Sequence, residues 1–117
     1  EKVDSVLTRY ASRSYYDELL GEGIQIHLYK GGLLHTKSIT ADGDITMFGT
    51  VNLDMRSIWI NYEVALFVYG EEFGQEVVAL QQSYLEKSEA INPAEWARRP
   101  LWQKFVENTL LLTSPLL

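Results

Sequence analysis

His35 and Lys37 stand two residues apart, as do Thr50 and Asn52, and again Asn61 and Glu63. Successive side chains of a β-strand point to opposite faces, so each pair shares a face wherever its segment is extended. Three neighbouring strands would then each carry two polar groups near one end, and they converge on one pocket if the register makes those faces coincide. In such a pocket Lys37 supplies a cation, Asn52 an amide donor and Thr50 a hydroxyl donor, a set suited to the oxygens of a phosphate. Donors fixed before reaction are what a phosphoryl transition state requires. His35 beside them is placed to attack phosphorus as a neutral imidazole and form a covalent phosphohistidine, dividing one displacement into two easier ones. A carboxylate behind the ring would fix its tautomer and stabilise the developing charge. Glu63, which interrupts an apolar stretch, is the candidate for that role. Buried alone such a carboxylate is costly, so it needs a partner, and His35 is the expected one.

The elements that must hold these residues are legible from the hydrophobic spacing. Residues 4–20 carry apolar groups three and four apart and predict a helix, capped by Asp4 or Ser5 and ended at Gly21 and Gly23. Strands are predicted over 23–29, 33–40, 45–51 and 58–69, with Gly31-Gly32 breaking the first and Asp42-Gly43 turning the second into the third. His27, on the first of these, reads as structural. Helical spacing returns after Gly70 and runs to about Ala90, with a solvated polar face of Glu72, Gln75, Glu76, Gln82, Glu86 and Lys87. Asn92-Pro93 reads as a helix cap and first turn, Pro100 interrupts, and residues 101–112 form the last helix. The apolar face around Trp96, Trp102, Phe105 and Leu110 reads as core packing. Arg98, Arg99 and Lys104 among those residues would also suit a helix resting on an anionic bilayer.

Composition bounds the chemistry. A chain of 117 residues, 46% hydrophobic and 22% charged, suits one globular domain with a real core and is too short for two. Its formal charge of −6 is the wrong sign for a domain that binds a polyphosphate backbone, so nucleic acid is not an expected partner. Without cysteine there are no disulfides, thiolate nucleophiles or Cys-based zinc sites, and His27 and His35 alone offer imidazoles. No apolar run reaches the length of a spanning helix, the first residues do not look like a signal peptide, and with no initiator Met the expectation is a fragment or processed product.

His35-x-Lys37, four residues, Asp42, six residues, Gly49-Thr50-x-Asn52 resembles the HKD signature of the phospholipase D superfamily. Glu63 stands where that family usually has a glutamate behind the nucleophilic histidine. The words at 32–38 and 49–57, Asn61-Tyr62-Glu63, the stretch 99–103 and the terminal residues 114–117 further resemble the C-terminal half of bacterial cardiolipin synthases. The resemblance implies an α/β fold of phospholipase D type, a mixed sheet flanked by helices. Residues 1–117 would then form part of the C-terminal HKD catalytic half-domain.

It also implies phosphatidyl transfer without metal or cofactor. One phosphatidylglycerol leaves its phosphatidyl group on a histidine and releases glycerol, and a hydroxyl of a second phosphatidylglycerol attacks to give cardiolipin. Carried over residue by residue, His35 is nucleophile or general acid, Lys37 and Asn52 are phosphate ligands, Thr50 is a supporting donor, Asp42 is a structural partner within the catalytic motif and Glu63 orients His35. Arg56 contacts a lipid headgroup or pairs with Asp54. Members of the superfamily use two HKD motifs, and this chain has one, so the implied partner is an N-terminal half of the same protein or a second protomer. The implied setting is the bacterial plasma membrane and its anionic surface, with the catalytic part cytoplasmic and this stretch soluble. Another phospholipase D superfamily enzyme (a phospholipase, a different phosphatidyltransferase or a nuclease) is the alternative, and so is a phosphate-binding fragment inactive by itself. The acidity speaks against the nuclease.

Overall fold

In a computed structural model, residues 2–112 are described, and the expected terminal word at 114–117 lies outside them. The elements are α1 (Lys2–Gly21), β1 (His27–Tyr29), β2 (Ser38–Ala41), β3 (Ile45–Gly49), α2 (Met55–Trp59), β4 (Ala65–Tyr69), α3 (Glu71–Glu86), β5 (Ser88–Ala90), α4 (Pro93–Ala97) and α5 (Leu101–Leu111). They form two compact units, Glu1–Ile26 with Asp54–Ile60 and Ala90–Leu117, and His27–Leu53 with Asn61–Glu89. Helices and small sheets together make the α/β class that the sequence implies. None of the described helices is long and apolar enough to cross a membrane.

The helical unit is tied together by one side chain. Arg99, with only 6% of its side chain exposed, donates from both terminal nitrogens to the two oxygens of Asp17 on α1, at 2.8 and 2.6 Å. Its Nε donates to Glu107 Oε2 on α5 at 2.9 Å, and its guanidinium lies 4.4 Å from the centre of the Trp96 ring on α4. Trp96 in turn meets Tyr16 of α1 with ring centroids 5.3 Å apart. A planar fork with several donors suits this three-way junction as a flexible lysine would not. Those hydrogen bonds hold the Asp17 carboxyl below its ordinary range. The expected packing role of this region is met by Trp96, Arg99 and half-buried Leu110, while Trp102 and Phe105 stay exposed at 65% and 72%. Their inclusion in the packing face is therefore corrected. At 3.6 residues per turn Phe105 falls opposite the side of α5 that carries Glu107 and Leu110 inward, and Trp102 stands in the first turn of the helix.

Two boundary corrections belong to this unit. α1 begins at Lys2, so Asp4 and Ser5 lie inside the helix instead of capping it, since no Gly or Pro interrupts the first turn. The strand expected over 58–69 is broken by α2, because Asp54 caps it by accepting the Ser57 N–H at 2.7 Å and draws residues 55–59 into a helical turn. At α4 the expected cap is present, with Asn92 accepting from the N–H groups of Ala94 and Glu95.

The second unit is a three-stranded antiparallel sheet, ordered β2-β3-β4, with α3 against one face. Ser38 and Phe48 pair across the ladder and so share that face with Thr40 and Thr46. Gln81 of α3 bonds both Ser38 and Thr40, and Phe73 of α3 meets Phe48 at 6.3 Å. The opposite face carries Ile39, Phe67 and Tyr69, exposed at 59%, 54% and 75%. The hairpin between β2 and β3 turns at Asp42 and Gly43, both at positive φ (55° and 79°), the pair of signs a tight hairpin turn prefers. β1 and β5 pair separately, extended by the Lys30 N–H bond to Lys87 O at 2.9 Å. Sequence periodicity had carried the helix through β5, a polar three-residue strand too short to show a period of its own.

Candidate active site

The strands stop where the chemistry-bearing residues begin. β2 starts at Ser38, leaving residues 33–37 outside it, because β2 is an edge strand whose one neighbour, β3, ends at Gly49. β4 likewise starts at Ala65, after Asn61 and Glu63. In an antiparallel sheet the start of β2, the end of β3 and the start of β4 lie at the same end. The register makes this concrete. Gly49 N–H bonds Lys37 O at 3.2 Å on one side, Gly49 pairs with Ala65 on the other, and Thr50 N–H bonds Val64 O at 2.9 Å. His35 and Lys37, Thr50 and Asn52, and Asn61 and Glu63 are thereby gathered at one end of the sheet.

They do not converge in the way simple alternation would arrange. If the ladder continued with strict alternation, Lys37 and Thr50 would project from opposite faces, since Lys37 aligns with Gly49, one residue before Thr50. The chain bends at Thr50, and this bend turns its hydroxyl toward the neighbouring strand. Thr50 Oγ1 donates to the Glu63 carboxylate, accepts the Val64 N–H at 3.0 Å and lies 3.4 Å from Val64 O. Lys37 Nζ donates to the carbonyl of His35 at 3.0 Å, which folds the ammonium back along its own segment toward the histidine. Lys37 and Glu63 are half-buried, whereas His35, Thr50 and Asn52 are exposed.

Two predicted site residues lie elsewhere. Asp42 sits in the turn at the far end of β2, so the geometry gives it a turn role and sets it apart from His35. Arg56 is an exposed residue of α2, within the helical unit. His27 opens β1. What the sequence reading missed is the share of the main chain. A Cβ on Gly49 would stand 2.1 Å from Val64 O and 2.8 Å from Ala65 Cα, so only glycine lets β4 approach closely enough for Thr50 to reach Val64 and Glu63. The glycine immediately before Thr50 was the available signal. Among the described residues, no three His, Asp or Glu side chains gather as a metal site would require.

Residues 1–85 match the family model described as cardiolipin synthase, PLD-like domain. The chain belongs to this family. It is 44% identical over 117 residues to cardiolipin synthase A of Edwardsiella ictaluri, a match that covers 100% of this chain and 24% of that protein. Cardiolipin synthase A of Serratia proteamaculans is 46% identical over 114 residues (97% of this chain, 24% of the relative). The Klebsiella pneumoniae protein of the same name is 46% identical over 116 residues (99% and 24%). The chain thus spans about a quarter of the length of the curated relatives it matches. No solved structure matches it.

Proposed function

We propose that this chain is the C-terminal HKD catalytic half of a cardiolipin synthase that joins two phosphatidylglycerol molecules through a phosphohistidine. The observation that carries the proposal is the collection of His35, Lys37, Thr50, Asn52 and Glu63 at one end of the β2-β3-β4 sheet in a chain of the cardiolipin synthase PLD-like family. Lys37 and Asn52 bind the phosphodiester oxygens, whose charge grows as phosphorus is attacked. The His35 imidazole forms the N–P bond while the P–O bond to glycerol breaks, and the departing oxygen takes its proton from the histidine of a second HKD motif. A hydroxyl of the second phosphatidylglycerol then attacks phosphorus as its proton passes to that second histidine, the N–P bond breaks, and both histidines are restored. The two histidines exchange the roles of nucleophile and acid if the order of halves is reversed.

The second motif comes from the rest of the polypeptide, or from a second protomer. The chain's quarter share of its relatives' length and the open apolar sheet face of Ile39, Phe67 and Tyr69 support a larger assembly, working at an anionic membrane surface. The test is the lipid profile of a bacterial host lacking cardiolipin that expresses the full reading frame with His35 or with His35→Ala. Cardiolipin is expected with His35 and none with the alanine variant. A well-expressed wild type that makes no cardiolipin would remove the synthase reading.

A further inference from the structure

We infer that Thr50 is a positioning residue that holds Glu63 in place through either protonation state, and that it is not a phosphate ligand. The inference rests on the phosphohistidine chemistry proposed for His35. Thr50 Oγ1 has one hydrogen and two lone pairs, and the structure places three polar atoms around it, one donor and two acceptors. One lone pair accepts the Val64 N–H at 3.0 Å. The hydrogen goes to the Glu63 carboxylate. If Glu63 takes up a proton, its O–H donates to the second lone pair, and the Thr50 hydrogen turns to Val64 O, 3.4 Å away in the present arrangement. No heavy atom has to change partner, and proton count balances in both forms. A carboxylate that backs a histidine through attack and release must stay put while the charge beside it rises and falls, and this hydroxyl lets it do so.

The same count removes Thr50 from the phosphate donors. Its single hydrogen is committed to Glu63 or to Val64 O, leaving Lys37 and Asn52 for the substrate oxygens. Gly49 makes the arrangement possible, since any side chain there would push the Val64 carbonyl away.

The experiment compares Thr50→Val, which keeps the branched shape and removes the hydroxyl, with Thr50→Ser, which keeps the hydroxyl, in the intact polypeptide, with phosphatidylglycerol vesicles as substrate. Thr50→Val is expected to lower kcat roughly tenfold, the worth of one hydrogen bond to a charged group, with little change in KM. Thr50→Ser is expected to restore most of kcat. Amide hydrogen exchange at Val64 should accelerate in Thr50→Val and not in Thr50→Ser. A rise in KM at unchanged kcat would make Thr50 a phosphate ligand after all, and wild-type kinetics in Thr50→Val would overturn the inference outright. If the wild type itself shows no transfer, the functional reading fails, and the inference is then judged by Val64 exchange and by the Glu63 carboxyl carbon resonance, which should move in Thr50→Val alone.

Discussion

Replacing Arg99 by methionine tests the packing logic of the helical unit. Glu107 is 0% exposed, its Oε2 is bonded to Arg99, and its Oε1 has no hydrogen-bond partner. Removing the guanidinium leaves that carboxylate buried without its counter-charge, a change that costs about 3–5 kcal/mol in comparable cases. Asp17 adds little to this, because its side chain is 47% exposed and water takes over. At roughly 4 °C per kcal/mol for a chain of this size, Tm should fall by about 12–20 °C. The assay is urea and thermal unfolding followed by circular dichroism. The double variant Arg99→Met/Glu107→Leu should recover most of the loss, since an apolar pair in a buried site often matches an ion pair. A loss below about 1 kcal/mol in the single variant, or no recovery in the double, would refute the reasoning. The pH dependence has a definite sign. Arg99 holds the Asp17 carboxyl below its ordinary value of 3.8, so the stability this pair contributes is whole above that value and is lost as pH falls through the lower folded one. Arg99→Met should therefore show a shallower loss of stability at acid pH than the wild type.

Two further substitutions probe the sheet that carries the site. Gly49→Ala places a Cβ 2.1 Å from Val64 O, so the strands must part; about 1–3 kcal/mol of stability should go, with faster amide exchange at Thr50 and reduced transfer. Unchanged Thr50 exchange would show that the close approach is not needed. Asp42→Val forces a β-branched residue to a φ of 55° and should cost about 1–2 kcal/mol in urea unfolding, whereas Asp42→Gly should cost nothing. Equal stability of the two would mean that the turn is not what asks for Asp42.

Much of this protein was legible without a structure. The spacing of His35, Lys37, Thr50, Asn52 and Glu63 pointed to the family, because reactive side chains are few and their order along the chain survives any folding. The hairpin at Asp42-Gly43 and the cap at Asn92 were also readable, since each depends on φ or on a hydrogen bond within a few residues. The break at α2 was of the same local kind, and Asp54 announces it, but the run of Ile, Val, Tyr and Phe around it spoke for a strand.

Tertiary structure decided the rest. Which residues of 33–37 and 61–64 would join the sheet depended on where β3 ended, and a strand's length is set by its neighbour's hydrogen bonds as well as by its own side chains. Thr50 came to face Glu63 through a bend and the close approach of Val64, against the alternation that its sequence position suggests. Arg99, read among the candidates for a membrane face, became the buried centre of three helices once Asp17, 82 residues away, and Glu107, eight residues on, were brought to it. Sequence determines which groups are available and the local turns that they favour. Partners distant along the chain decide where each charge is buried and which way each hydroxyl points, because those energies arise only when separate segments meet.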